Sequence, residues 1–243
     1  VAFVKNNFPA VSVITNPQNI GFHRSVNKAV SLSTAQTVLL LNSDMAPEHD
    51  AFTHLYNHFL NTDKLFAVSG RIYGDDKKTF LYGNRGGTFI RGHFRLYEKP
   101  EWASSQTLFA CGGAGLYDRA LFLKLGGFDT LYSPFYYEEQ DISYQALKHG
   151  FAIHYEPQSI MYHNVRSTIG KKMNDTRIRR ISARNNYLFI IKNITDISYT
   201  LAFLCFMPLG ILSALCTGKP RFLLAFLMML PRLPEALIKR MQS

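Results

Sequence analysis

Between residues 11 and 69 short apolar runs alternate with stretches whose apolar side chains recur at helical spacing. The β-branched run VSVIT, Val11 to Thr15, is broken by Asn16-Pro17 and predicts a strand. His23 to Leu32 places Val26, Ala29 and Val30 on one helical face. Val38 to Leu41 predicts the next strand. Phe52, Leu55, Tyr56, Phe59 and Leu60 predict a helix beginning near Pro47, and Leu65 to Ser69 a further strand. Strand, helix, strand, helix, strand is the pattern of a parallel sheet wrapped by helices, so the fold class is α/β.

The middle of the chain is less regular. Residues 74–106 hold Gly74, Gly83, Gly86, Gly87 and Gly92 among aromatic and charged residues, and read as a hairpin or a long mobile loop. Leu108 to Tyr117 predicts a strand whose glycines let the backbone come close to something else. Short helices follow at Arg119 to Leu125, ended by Gly126-Gly127, and at Glu139 to His149, closed by Gly150. Ala152 to Tyr155 and Ile160 to Tyr162 predict short strands, and from Asp175 onward the pattern is helical.

Charge divides the chain more sharply than hydropathy does. Residues 1–165 carry 14 basic and 14 acidic residues; residues 166–243 carry 13 basic and 3 acidic ones. Within the basic part lie an uncharged run, ISYTLAFLCFMPLGILSALCTG (Ile197 to Gly218), and a shorter one, FLLAFLMMLP (Phe222 to Pro231). The first is long enough to cross a bilayer. Arg184 and Lys192 precede it and Lys219 and Arg221 follow it, which favours keeping both ends on the cytoplasmic face. With Pro208 and Gly210 at its centre, a re-entrant or interfacial helical pair is favoured over a simple span; a buried helix of a helical subdomain is the third reading. A basic segment beside apolar runs, with no recognition module, points to an anionic membrane surface and away from nucleic acid. Cys111, Cys205 and Cys216 have neither metal-ligand spacing nor an even count, which suits a reducing compartment.

The chemistry collects at chain segments that follow strands. The strand VLLL stops at Asn42-Ser43-Asp44, and ligands of open α/β sheets sit beyond the carboxyl ends of strands. Asp44 there suits a hard cation such as Mg²⁺ or Mn²⁺ bridging phosphates; capping the following helix is the plainer role. Glu138, Glu139 and Asp141 cluster behind Phe135, Tyr136 and Tyr137. A helix N-terminus favours such acids, and an apolar wall raises a carboxyl's pKa and suits it to taking a proton. His163, just after a short strand, fits a metal ligand or phosphate contact, although a lone His is more often structural.

In order, the motifs are N-x-G-F-x-x-x-x-N (Asn19 to Asn27), an apolar strand with N-S-D, G-G-F-D (Gly126 to Asp129), Y-E-E-x-D (Tyr137 to Asp141), A-L-K-H-G-F and H-x-x-x-S (His163 to Ser167). This order and spacing, over about residues 8–190, resembles the family 2 glycosyltransferases of GT-A fold, especially the rhamnosyltransferase-like branch that builds bacterial surface polysaccharides. The resemblance implies a mixed sheet flanked by helices, with residues 1–165 as an N-terminally truncated catalytic domain. The first β-α-β unit of the family is expected to be missing ahead of Val1. Residues 166–243 would be a basic, apolar helical region that associates with the membrane.

The resemblance also assigns roles. Asp44 holds a divalent cation, Mg²⁺ or Mn²⁺, on the diphosphate of a nucleotide-sugar donor, and His163 reaches that metal or diphosphate. Asn42 replaces the first acid of the family's DxD-type motif and binds through water or ribose. Asn19, Gly21 and Asn27 lie close to the donor, and Gly112 and Gly113 where the acceptor passes. Glu138-Glu139 supplies the general base; Glu139 stands in place of the family's Asp, and the choice between the two stays open. Asp141 binds acceptor or orients the helix. The implied reaction is inverting transfer to a polyprenyl-diphosphate-linked or glycan acceptor at the cytoplasmic face of the bacterial inner membrane, where Lys171, Lys172, Arg177, Arg179 and Arg180 meet anionic groups. The alternative is an inactive or purely binding remnant of such an enzyme.

Overall fold

The computed structural model describes residues 1–103, 105–164, 174–217 and 221–242. Ser167, Lys171, Lys172, Gly218 and Lys219, which the sequence singled out, lie outside the described residues. The chain opens with a short helix, α1 (Ala2–Asn7), followed by α2 (Phe22–Leu32), β1 (Thr37–Leu41), β2 (Met45–Pro47), α3 (Ala51–Asn61) and β3 (Leu65–Gly74). Then come β4 (Phe80–Tyr82), the hairpin β5 (Arg85–Ile90) and β6 (His93–Glu98), β7 (Ser105–Gln106), β8 (Ala114–Asp118) and α4 (Arg119–Lys124). The acidic helix α5 (Glu138–Lys148) leads into β9 (Ala152–His163). Helices α6 (Asp175–Asn193), α7 (Ile197–Cys216), α8 (Arg221–Met229) and α9 (Leu233–Arg240) complete it.

The sheet is mixed. Its order is β1-β8-β3-β9-β2, with β4 beside β3 and β7 beside β9, and only β3 and β9 run parallel. The parallel sheet expected from strand-helix alternation is corrected here: β8 returns antiparallel and inserts between β1 and β3, so β1, β2 and β3 are not neighbours. Val11–Thr15 is not a strand. It is mostly exposed, with no ladder partner among the described residues, and β-branched residues alone do not satisfy a backbone. Pro47 does not begin a helix; it ends β2, whose three residues pair with β9, and α3 starts only at Ala51. The two short strands expected over residues 152–162 are one strand, kept continuous by an irregularity opposite Gly70, where a Cβ would lie 2.7 Å from Ser159 O.

Packing shows why these elements hold. Val30, Phe66, Tyr117, Phe122, Phe128 and Ile142 fill the side covered by α2, α4 and α5. Leu55, Val68, Ile72, Leu116 and Met161 fill the side covered by α3. A further apolar cluster joins Phe94 of the hairpin to Tyr132, to Leu188 and Phe189 of α6, to Phe203 of α7 and to Met229 of α8. There is thus no break in packing between α6 and the sheet-bearing part. By contrast, α7 is long and apolar enough to cross a membrane while only 11% of it is buried. The tip of the β5-β6 hairpin rests on it: Gly92 has φ 73°, and a Cβ there would lie 2.9 Å from Ala202 O and Phe203 Cα. An L side chain would have to displace helix backbone, so glycine is required.

Candidate active site

Sheet register creates the first half of the site. Met45 pairs with His163 across β2 and β9, and the Asn164 N–H donates to Asp44 O at 3.0 Å. The residue before β2 and the last residue of β9 are therefore side by side although 119 positions apart in sequence, as the numbering shows. His163 Nε2 lies 3.6 Å from Asp44 Oδ2, and His163 Nδ1 shares a 2.9 Å hydrogen bond with the Tyr82 hydroxyl. An open cleft of about 620 Å³ adjoins them, lined by Ser43, Asp44, Glu48, Asp75, Lys77 and Tyr162, among others.

The second half is the start of α5. Glu138 and Glu139 occupy its first turn, where the helix dipole favours negative charge. The chain enters that turn through two consecutive left-handed residues, Tyr136 (φ 68°) and Tyr137 (φ 80°). Such a backbone costs about 1–3 kcal/mol per residue and persists only where its surroundings hold it. Here α6 does so. Asn185 Nδ2 donates to Tyr132 O, Phe135 O and Tyr136 O at 2.8–2.9 Å, and Arg184 donates to Ser133 O at 2.6 Å. Asn186 Nδ2 donates to the Tyr137 hydroxyl at 2.7 Å and to Phe94 O at 2.8 Å.

The two halves meet at Gly112-Gly113, immediately before β8. A Cβ on Gly113 would sit 2.2 Å from the Asn42 amide, and one on Gly112 would lie 3.6 Å from Glu139 Oε2. Tyr82, hydrogen-bonded to His163, also feels the charges of both Glu139 and Asp44, which together with burial push its hydroxyl well above the ordinary tyrosine range. The cation-type residues and the carboxyl pair thus share one end of the sheet. Glu139 Oε2 is enclosed without a hydrogen-bond partner. Burial first, and the neighbouring Glu138 carboxyl second, raise Glu139 well above the usual carboxylate range; the Arg85 guanidinium opposes this. Glu138 is raised by burial. The Cys111 thiol, enclosed and close to Glu139, is pushed up to about 12, so it is no nucleophile near neutrality.

The remaining expected site residues divide. Asn19 Oδ1 accepts from Gly21 N at 2.9 Å, and Gly21 (φ 83°) opens α2, so this pair shapes an exposed turn. Asn42 is exposed, leans on Gly113 and donates its backbone N–H to Gly113 O at 2.9 Å. Asn27, expected close to the donor, is also a tether. Its amide donates to Phe128 O at 2.9 Å and accepts from Phe128 N at 2.8 Å, which fastens α2 to the G-G-F turn. Asp141, expected to bind acceptor or to orient the helix, has the surroundings of the second role. It is 0% exposed, and its oxygens accept from Tyr132, Gln145, Lys192 and Asn193 at 2.7–3.0 Å. It joins α5 to α6 and acts through that joint.

Several residues of the site were not found from sequence. Tyr82 and Arg85 sit in a stretch with no periodicity, and Arg85 lies over the Tyr82 ring, 5.2 Å from its centroid. Arg184, Asn185, Asn186, Lys192 and Asn193 are buried. Polar residues on both sides of the apolar run Tyr187 to Ile191 were the available signal, since buried polar groups must have partners.

The Asp44–His163 couple offers one oxygen and one nitrogen, with the imidazole orientation fixed through Tyr82, a form of support seen at metal sites. No cluster of three or more His, Cys, Asp or Glu able to hold a metal occurs among the described residues. The residues therefore fit a divalent cation that takes its other ligands from phosphate and water, and do not fit an all-protein cage.

Against known proteins, the glycosyl transferase family 2 model matches residues 1–126. No curated protein matches the chain in sequence. A solved structure of GalNAc-T7 with UDP, GalNAc and Mn²⁺ is similar with a TM-score of 0.58 and 14% identity, over 79% of this chain and 38% of that one. The mannosyltransferase PcManGT of Pyrobaculum calidifontis, in complex with GDP-Man and Mn²⁺, is similar with a TM-score of 0.54 and 15% identity, over 99% of this chain and 72% of that one. TarS residues 1–349 of S. aureus, with UDP-GlcNAc, give 0.53 and 14%, over 97% and 69%. The chain spans 38% of the length of the first of these. At such identities the likeness is one of fold: a mixed α/β sheet flanked by helices.

Proposed function

The chain belongs to glycosyl transferase family 2, and from that premise we propose that it moves a sugar from a nucleotide-diphosphate donor to an acceptor hydroxyl with inversion at the anomeric carbon. The observation that carries this reading is the meeting of the Asp44–His163 couple and Glu139 across Gly112-Gly113. Asp44 and His163 would hold Mg²⁺ or Mn²⁺, which would offset the charge developing on the departing diphosphate. The exposed turn at Asn19 and Gly21, with Asn42, borders the donor. Glu139 takes the proton from the acceptor hydroxyl, for which a carboxyl with a raised pKa is suited. Asp141 and the polar face of α6 keep α5 in place. The acceptor is a polyprenyl-diphosphate-linked or polysaccharide hydroxyl of the rhamnosyltransferase-like branch, passing over Gly112 and Gly113.

The exposed apolar face of α7, with Leu201, Leu204, Leu209, Leu212 and Leu215 outward, supports membrane contact, and Arg177, Arg179 and Arg180 at the start of α6 add basic charge to the C-terminal region. We read α7 and α8 as an interfacial or re-entrant pair at the cytoplasmic face of a bacterial inner membrane.

The test is transfer by the whole protein from a panel of sugar nucleotides to a lipid-linked or glycan acceptor, with Mn²⁺ or Mg²⁺, and product configuration read by NMR. Cation-dependent, inverting transfer that is lost in Asp44→Ala and Glu139→Gln is expected. Unchanged transfer in both variants overturns the assignment. Calorimetric binding of glycan or lipid without any sugar-nucleotide binding would mark a non-catalytic remnant instead.

A further inference from the structure

Away from the site described above, three titratable side chains meet where α3 packs on β9. His58 of α3 and His154 of β9 bring their Nδ1 atoms to 3.3 Å, and His58 Nε2 lies 2.7 Å from Glu156 Oε2. The contact is shielded but not sealed, with the His58 and Glu156 side chains 16% and 13% exposed. His154 stands near the start of β9 and His163 at its end, roughly 30 Å of strand away at the usual rise per residue. The cluster is therefore separate from the Asp44–His163 couple.

Hydrogen-bond valences fix where the protons sit. A carboxylate only accepts, so His58 Nε2 carries a proton and donates it to Glu156. In a neutral ring His58 Nδ1 is then a bare acceptor, and His154 Nδ1 is the donor that faces it. Burial first, and the neighbouring His58 second, lower the proton affinity of His154, which favours its neutral form. Glu156 is itself steadied: its other oxygen accepts from the Gln158 N–H at 2.7 Å. A single proton thus lies between two imidazole nitrogens, one of them oriented from behind by a carboxylate.

That place suits a metal ion as well as a proton. Zinc–nitrogen bonds of about 2.0–2.1 Å put two ligands of a tetrahedral ion about 3.3–3.4 Å apart and their ring centroids about 5 Å apart. Here the nitrogens are 3.3 Å apart and the centroids 5.4 Å. A carboxylate on the far nitrogen of a ligating imidazole fixes its tautomer and raises its basicity, and Glu156 stands there on His58. We propose that His58 Nδ1 and His154 Nδ1 bind one Zn²⁺ ion, with Glu156 orienting His58, so that the ion fastens α3 to β9. On binding, the ion gives up two waters, and the His154 proton leaves Nδ1 while Nε2 takes one up, so the ring stays neutral. Two protein ligands leave the remaining positions to water, which makes the site open and exchangeable and agrees with the absence of a three-ligand cluster among the described residues. Imidazole nitrogens favour Zn²⁺ over Mg²⁺, so the two cation sites differ in the metal they select.

The inference does not depend on the transfer reaction, and its test needs no substrate. Calorimetric titration of the whole protein with Zn²⁺ is carried out in the background D44N/H163A, which removes the other cation site. One equivalent should still bind there. His58→Gln and His154→Gln should each weaken that binding by about tenfold or more, and Glu156→Gln, which takes away only the supporting carboxylate, by about 10–100-fold. Mg²⁺ should not compete. Nitrogen NMR of the imidazole rings in the wild-type protein avoids any question of folding in the variants: Zn²⁺ should move the Nδ1 signals of both His58 and His154 and turn His154 into the Nε2-protonated tautomer. No Zn²⁺ binding in the background protein, binding unchanged in His58→Gln and His154→Gln, or Nδ1 signals that stay in place when Zn²⁺ is added would each overturn the proposal and leave the cluster a hydrogen-bonded contact between helix and strand.

Discussion

His163 Nε2 faces Asp44 Oδ2 at 3.6 Å, brought there by the antiparallel pairing of β2 with the end of β9. The imidazole is not free to turn, because its other nitrogen is bonded to Tyr82. When Nε2 binds a cation, Nδ1 must carry the proton and donate to the Tyr82 oxygen.

Tyr82→Phe should therefore weaken Mn²⁺ binding in the presence of nucleoside diphosphate by about 10–100-fold, whereas His163→Ala and Asp44→Asn should remove it. Titration followed by the Mn²⁺ EPR signal measures all three. Equal affinity in Tyr82→Phe and wild type would show that the tyrosine plays no part in setting the ligand.

Glu139 supplies a pH prediction with a definite sign. Its folded pKa is raised well above the unfolded value of 4.5 by burial and then by Glu138. The folded state thus holds a proton that the unfolded chain releases. Stability from this group is complete below about 4.5 and is lost as pH rises through the folded pKa. Glu139→Gln should flatten that decline and raise Tm at alkaline pH by about 2–4 °C per kcal/mol recovered, while lowering kcat by about 10²–10⁴-fold. Thermal melts across pH, paired with the transfer assay, test both halves.

Asn185 is the main brace of the left-handed Tyr136-Tyr137 backbone, through three carbonyls. Asn185→Ala should cost about 2–3 kcal/mol, since the buried carbonyls lose their donor. It should also lower kcat beyond what the loss of folded protein explains, because α5 would enter its first turn differently. Urea unfolding and kcat per folded molecule separate the two effects.

Lys192 bridges the buried Asp141 and the partly buried Asp129, with Nζ 2.8 Å from Asp129 Oδ2 and 2.7 Å from Asp141 Oδ2. Lys239 also bonds Asp129. Burial raises the Asp129 pKa, but the charge and hydrogen bond of Lys192, aided by Lys239, outweigh it and leave the carboxyl below its ordinary range. Lys192→Met should cost about 3–5 kcal/mol at neutral pH. The loss should shrink in acid, because the Asp129 contribution is present above the ordinary carboxylate range and is lost as pH falls through its depressed folded pKa. Denaturant midpoints at neutral and acidic pH give the comparison.

Local rules accounted for α2, β1, α3, β3, α4, α5 and the C-terminal helices, because each has a period or a cap written in adjacent residues. Asp44, His163 and Glu139 were legible as chemistry because an acid after an apolar strand, or three acids beside aromatics, is costly unless used. Sheet order was not legible: β8 enters between β1 and β3 through long-range ladder bonds that leave no local trace. For the same reason Val11–Thr15 reads as a strand yet lacks one, as a ladder needs a second chain segment.

What the residue order determined by itself is an α/β chain with acids after strands and an apolar, basic end, since periodicity and charge are properties of neighbours in sequence. Tertiary structure alone decided that Asn27 and Asp141 fasten helices, that Glu138 turns to His23 while Glu139 turns to Gly112, and that α6 clamps the loop ahead of both. Those outcomes depend on which buried polar atom finds which partner, and the partners lie about fifty to more than a hundred residues apart.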